Sequence, residues 1–231
     1  MEGGASAGRF DQLKSRAGLD RDERLVKDGI LRMGSLVEAQ IRDAVKSVVD
    51  RDPGLAAAVI EGDGRINEAQ RDVGDVIVMT IATQAPVARD LRFLMALDHV
   101  AFELERIGDH ASGIAKQTRR LAEEAQLTEV ATLARMGNLA ADQVRGIVTA
   151  LIDIDDRLAR DVAGRDDEID HLYRTIFADV VERMRVEPAA VERGTRLILA
   201  AHWIERIGDR VTNVAEDVVY LATGQIEDLN P

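Results

Sequence analysis

The stretch Leu104-Glu105-Arg106-Ile107-Gly108-Asp109 returns as Ile204-Glu205-Arg206-Ile207-Gly208-Asp209, 100 positions later. Both copies lie in sequence of helical periodicity, so Glu105 and Asp109, and likewise Glu205 and Asp209, stand one turn apart on one helix face. Neither feature favours a helix. Like charges at that spacing cost about 0.2–0.5 kcal/mol, and a mid-helix glycine costs about 1 kcal/mol relative to Ala. The likeness extends outward: Leu97–Ala115 aligns without gaps on Leu197–Ala215, and Asp63-x-x-Ile66-Asn67 matches Asp166-x-x-Ile169-Asp170. A chain that repeats itself in this way folds as two copies of one unit.

Breaks in the apolar pattern divide the 231 residues into six expected helices. The first runs from Phe10 or Arg21 to Val49, with Leu31, Leu36, Val37, Ile41, Val45 and Val48 directed inward. Asp52-Pro53 reads as an N-cap followed by a proline at the first helical position. The second helix then carries Leu55, Val59, Ile66, Val73, Val76 and Ile77 and stops near Gln84-Ala85-Pro86; the third runs from Pro86 to about Glu123. The fourth spans Thr128 to about Arg157, and the fifth Asp161 to about Val186. The sixth starts at Glu187-Pro188 and ends at Gly224, a C-terminal cap. The expected fold is all-α, two tandem three-helix bundles, because one such unit alone leaves a side of each helix uncovered. The expected boundaries are a flexible N-terminus over residues 1–9, a first bundle over 10–123, a second over 124–225 and a tail over 226–231.

Hydrophobic residues make up 46% of the chain and charged ones 31%, the balance of a soluble, core-forming protein. A net charge of −12 disfavours sequence-independent binding to nucleic acid or to anionic lipid. It suits cation binding, or docking on a basic partner surface. The absence of cysteine removes disulfide and thiolate chemistry. Residues 1–10 lack the apolar core of a signal peptide, and Val76–Ala82 and Leu197–Ile204 fall far short of a membrane span. These features read as a cytoplasmic protein without membrane insertion.

Helical geometry gathers the carboxylates. In the third helix Val100, Leu104, Ile107, Ala111 and Ile114 form the buried stripe, and Asp98, Glu105 and Asp109 fall together beside it. In the sixth, His202, Glu205, Asp209, Asn213 and Glu216 share the equivalent face. Folding the second and third helices about residue 85 brings Asp63 near the level of Ile107 and Asn67 near Glu103. Folding the fifth and sixth about residue 187 brings Asp166 and Asp170 level with Gly208 and Ile204. Such clusters raise their own pKa values unless a multivalent cation neutralises them. Oxygen donors suit Mg, Ca, Mn or Fe better than a structural Zn. The expected cofactor is a divalent or trivalent metal ion (Fe, Mn, Mg or Zn), held by Glu105, Asp109, Glu205, Asp209, Asp63, Asp98, Asp166, Asp170 and Glu216. The competing reading is a solvated salt-bridge face, with Arg106 pairing with Asp109 or Glu103 and Arg206 with Asp209.

His202 is a candidate further ligand, whereas His99, His110 and His171 have no counterparts in the other half and read as surface or boundary residues. Trp203 reads as core or interface. Gly62-Asp63-Gly64 lacks the lysine and strand of a phosphate-binding loop. No nucleophile–base set stands out, so the chain does not read as an enzyme. A ferritin-like iron redox protein is the alternative, but it needs paired Glu-x-x-His motifs. Here His202-x-x-Glu205 is reversed and single. A purely structural oligomerisation bundle is a third reading.

The chain resembles the PhoU family. The resemblance rests on Val87-Ala88-Arg89-Asp90-Leu91-Arg92, on Leu104 through Ala111, and on Ile204 through Leu221 with Asn213-Val214-Ala215-Glu216-Asp217-Val218-Val219-Tyr220-Leu221. It covers roughly Phe10 to Gln225. It implies two three-helix bundles whose Glu/Asp-x-x-x-Asp motifs hold multinuclear metal clusters on the bundle surface. It also implies a negative regulator of phosphate uptake and of the phosphate-starvation response. Such a protein links the ATPase of the phosphate ABC transporter to a sensor histidine kinase, and a homodimer is expected on the same ground. Two departures predict unequal sites: Asn67 stands opposite Asp170, and Lys116 opposite Glu216.

Overall fold

The computed structural model describes residues 4–121 and 128–229. Its helices are α1 (Gly4–Asp50), α2 (Pro53–Gln84), α3 (Arg89–Leu121), α4 (Val130–Asp153), α5 (Asp156–Ala163), α6 (Asp166–Val186) and α7 (Val191–Thr223), with a 3₁₀ turn at Pro188–Ala190. The expected flexible start lies partly outside the described residues, and from Gly4 the chain is already helical. The expected boundary between the bundles, after residue 123, also lies outside them, as do the last two residues of the tail.

Along α1 the buried stripe is Val26, Ile30, Met33, Val37, Ile41, Ala44 and Val48. Leu31, expected inward, is 42% exposed, because it sits about 100° around the helix from Ile30. Asp52 caps α2 as expected, its Oδ1 accepting from the N–H groups of Gly54 and Leu55 at 2.9 Å. The second repeat corrects the expected helix count. The fourth helix ends at Asp153 rather than near Arg157, with Ile154 in the left-handed region as its cap. Asp155 then starts a separate short helix by accepting from Arg157 and Leu158 N–H at 3.0 Å. Asp155 is Asp52 displaced by 103 positions, the spacing that also relates Asp63 to Asp166. Thus α5 and α6 together are the counterpart of α2, interrupted at Gly164-Arg165 immediately before Asp166.

In the first repeat α1 packs with α2 and α3, and in the second α4 packs with α7 and with α5 and α6, which together take the place of α2. The repeats meet where α3 lies against α7 and α1 against α4. A pseudo-twofold axis relates them. A Cβ on Gly34 would meet Val148 of α4 at 2.9 Å, and one on Gly137 would press on Val45 of α1. Each contact becomes the other on adding or subtracting 103. Inside each repeat a buried glutamine donates from Nε2 to a backbone carbonyl, Gln40 to Val59 at 3.2 Å and Gln143 to Val162 at 3.3 Å. At the α3–α7 seam Arg210 approaches Glu103 at 3.5 Å, and in the symmetry-related place Trp203 stacks on His110, their ring centres 5.1 Å apart. Trp203 is therefore an interface residue. The core is continuous across both repeats.

Candidate carboxylate face

Asp166 opens α6, buried to 7% exposure, and among the described residues its Oδ1 has no hydrogen-bond donor. Burial first, then the charges of Asp170, Asp209 and Glu205, push its carboxyl up to about 7. The α7 backbone passes so close that a Cβ on Gly208 would overlap Asp166 Oδ1. That approach explains the glycine. The motif needs a bare helix surface where the first turn of α6 rests on it. Glu205 is raised by burial and then by Asp209, with Asp170 contributing; Asp209 is raised by burial and by Asp170. Asp166, Asp170, Glu205 and Asp209 thus share one electrostatic environment, at the levels expected from folding about residue 187.

Two basic groups border the cluster without neutralising it. His202 Nδ1 lies 3.2 Å from Glu205 Oε2, outside hydrogen-bond alignment, so that buried oxygen keeps no donor. Arg206 Nε stands 3.7 Å from Asp209, a distance of weak pairing, and is itself without a hydrogen-bond acceptor. Asp170 is held by Arg174 at 3.4 Å. A ladder of rings runs from His110 over Trp203 and His202 to Tyr173 and Phe177 alongside.

In the first repeat Glu105 is raised by burial, then by Asp109 and Asp63, and Asp109 by burial and Asp63. Asp63 is better satisfied than Asp166, its Oδ1 accepting from Gln40 at 3.2 Å and Ser112 at 3.1 Å. Here the register differs from expectation. Asp63 is level with Ser112 rather than Ile107, because the α2–α3 corner occupies residues 85–88 and α3 starts at Arg89. Gly108 again marks the crossing, a Cβ there meeting Ile66 Cδ1 at 3.0 Å and Gln40 Oε1 at 3.1 Å. Asn67 Oδ1 is buried without a donor.

Two expected ligands are placed differently: Asp98 lies away from the first cluster, and Glu216 lines one cleft with Asp209 and Asn213 but also holds the tail. Asp98 lies opposite Gly74, whose added Cβ would approach its Oδ1 at 3.8 Å, and acts on His99 rather than on Glu105 or Asp109. Glu216 accepts the Leu229 N–H at 3.0 Å and so anchors the tail. Among the described residues, no three His, Asp or Glu side chains already stand in a geometry that closes around one ion. The donor chemistry nonetheless suits a hard cation: clustered carboxylates, raised by their own charges, with a buried oxygen lacking a donor. Sequence reasoning passed over Gln40, Ser112 and Gln143. For the glutamines the signal was the 103-residue repeat, Gln40 returning as Gln143, and for Ser112 the 100-residue one, which sets Thr212 in its place.

The PhoU domain model matches residues 30–118 and again 133–218. The chain belongs to the PhoU family. It is 36% identical over 202 residues to a phosphate-specific transport system accessory protein PhoU homolog of Clostridium acetobutylicum, spanning 87% of this chain and 92% of that one. A homolog of the same name from Pseudomonas aeruginosa is 36% identical over 200 residues, 86% of this chain and 83% of the relative. The crystal structure of PhoU from Pseudomonas aeruginosa superimposes with a TM-score of 0.85 at 35% identity, covering 89% of this chain and 99% of that one. The phosphate transport system regulatory protein PhoU from Streptococcus pneumoniae gives a TM-score of 0.85 at 27% identity, covering 91% and 99%. Two tandem three-helix bundles are therefore the family fold. No helix among the described residues is long and apolar enough to cross a membrane.

Proposed function

We propose that this member of the PhoU family is an accessory regulator of phosphate-specific transport. In this reading it restrains phosphate uptake and the starvation response as a cytoplasmic adaptor between the transporter ATPase and a sensor histidine kinase. The observation that carries the proposal is the match of both repeats, over most of the chain, to relatives named for that transport system. The adaptor role rests on family membership, and a homodimer accords with it.

The carboxylate clusters are proposed to hold metal ions, by Asp166, Asp170, Glu205 and Asp209 in the second repeat and by Asp63, Glu105 and Asp109 in the first. A bound cation supplies positive charge, which offsets the mutual repulsion of these groups and ties α6 to α7 and α2 to α3. The second cluster is expected to bind more tightly, because Asp166 has no internal donor whereas Asp63 has two. Pull-downs from cells grown in phosphate-rich medium test the adaptor role. Wild type is expected to recover the transporter ATPase or the kinase, and the Glu205→Ala, Asp209→Ala variant to lose them. Recovery of neither by wild type, even after crosslinking, contradicts the adaptor reading.

A further inference from the structure

The Val87-Ala88-Arg89-Asp90-Leu91-Arg92 segment has no part in the carboxylate face. Its Arg89, Asp90 and Arg92 form one wall of a cavity of about 1030 Å³ at the end of the bundle, where the start of α3 meets α1 and the C-terminal ends of α4 and α7. Arg16, Lys27, Arg89 and Arg92 supply four positive charges there, on a chain whose net charge is −12.

The negative groups of the cavity are Glu23, Asp90 and Asp153. Asp90 is engaged by Arg16 at 2.8 Å. Burial, and then the charge of Asp90, hold Glu23 above the ordinary carboxylate range, which lessens its negative charge. Lys27 is fixed in the wall, its Nζ 5.0 Å from the centre of the Phe93 ring and 3.5 Å from the Ile152 carbonyl at the end of α4. Arg89 and Arg92 differ from these groups. Both are exposed, and among the described residues neither has an ion-pair or hydrogen-bond partner for its side chain. At i and i+3 they project from one face of the first turn of α3.

The second repeat serves as an internal control. Carried back from Leu97 and Leu197 at the same 100-residue spacing, the α3–α7 alignment sets Ala189, in the 3₁₀ turn, against Arg89, and Glu192 against Arg92. That repeat turns the same corner through a 3₁₀ turn, without a positive φ. The first repeat instead places Ala85 at φ 46° and Ala88 at φ 49°. Ala85 is the left-handed cap of α2, as Ile154 is of α4, whereas Ala88 immediately precedes α3, and strain in a non-glycine residue there is of the kind that gathers at functional sites. The fold therefore needs neither the arginines nor the strained corner, and both occur in the same copy.

We propose that this cleft binds a phosphoryl anion, with Arg89 and Arg92 as the free guanidinium donors and Lys27 as the fixed charge behind them. Planar guanidinium groups match phosphoryl oxygens in geometry. The volume admits either free orthophosphate or a phosphoryl group carried on a larger molecule. The site is distinct from the carboxylate face and does not rest on the adaptor reading.

Calorimetric titration of the full chain, freed of metal by chelation, tests the proposal with orthophosphate, pyrophosphate and ATP as probes. The matched variant is Arg89→Ala, Arg92→Glu, which copies the natural corner of the second repeat and is expected to keep the wild-type circular dichroism and melting temperature. Saturable binding to wild type, weakened roughly tenfold or more in the variant, is the expected result. A Lys27→Gln variant is expected to weaken binding as well. Binding of orthophosphate as tight as that of pyrophosphate assigns the site to free phosphate; binding of only the larger probes assigns it to carried phosphoryl groups. No saturable binding of any probe, or an affinity unchanged in the Arg89, Arg92 variant, overturns the proposal.

Discussion

Gly208 and Asp166 are a single structural decision made at two places in the chain. The glycine removes a side chain so that the first turn of α6 can rest on α7, and the aspartate delivered there has a buried oxygen without a donor. Its carboxyl, raised from an ordinary 3.8 to about 7, favours folding fully only below pH ~4. As pH rises through 7 the buried group ionises and that contribution is lost. Asp166→Asn is thus expected to stabilise chelated protein at pH 8 by on the order of 2–4 kcal/mol, measured by urea unfolding. Adding Mn²⁺ is expected to stabilise wild type more than the variant, which keeps only the first cluster intact; equal stabilisation of both would place the ion away from Asp166. For Gly208→Ala the gain in helix propensity, about 1 kcal/mol, opposes the displacement of Asp166. Its melting temperature is expected to stay near wild type while bound metal is lost.

At the scale of elements, much of the fold was legible and some of it was not. Asp52-Pro53 announced α2 because an acceptor before a proline is a local signal. Asp155 announced α5 by the same chemistry but lacks the proline, and only the 103-residue register identifies it. Alanine at either cap is therefore expected to cost a similar amount, about 1 kcal/mol in chemical denaturation. The α2–α3 register was misjudged because two non-glycine residues in left-handed conformation lengthen the corner, and propensity does not foresee them. Asp98 and Glu216 were grouped by helix face alone. Asp98 acts on the adjacent His99, and Glu216 on Leu229 of the tail, which periodicity does not place. Glycines inside helices likewise have opposite roles according to what they face. Gly137→Ala presses on Val45 and is expected to cost about 1–3 kcal/mol, whereas Gly64→Ala meets nothing within 4 Å and is expected to gain about 1 kcal/mol.

At the scale of the molecule, the repeats are joined by a seam of unlike halves. On one side of the pseudo-twofold axis lies the Glu103–Arg210 pair, and on the other the stacked Trp203 and His110. Burial, then the charges of Arg210, Arg206 and Arg106, hold His110 neutral with a pKa of about 4, the form suited to stacking on an apolar ring. Farther along, His99 Nδ1 bonds Asp217 Oδ2 at 2.6 Å. Burial lowers the His99 pKa, but the bond and charge of Asp217, followed by Glu103, outweigh it and the net shift is upward. A raised histidine stabilises the fold fully below its unfolded value near 6.5, and the contribution is lost as pH rises through the folded value. His99→Gln is accordingly expected to lower the melting temperature at pH 6 and to change it little at pH 9. Because the core runs through both repeats, circular dichroism and Trp203 fluorescence are expected to report one coincident unfolding transition.

The doubled motif is proposed to gather carboxylates that hold cations. The most direct test is the metal content, by inductively coupled plasma mass spectrometry, of protein purified without chelator. Wild type is expected to contain metal in fixed ratio to chain, with most of it lost in Glu205→Ala, Asp209→Ala and a smaller share in Glu105→Ala, Asp109→Ala. Metal content unchanged in both variants would contradict the claim and leave the motif as a surface of salt bridges.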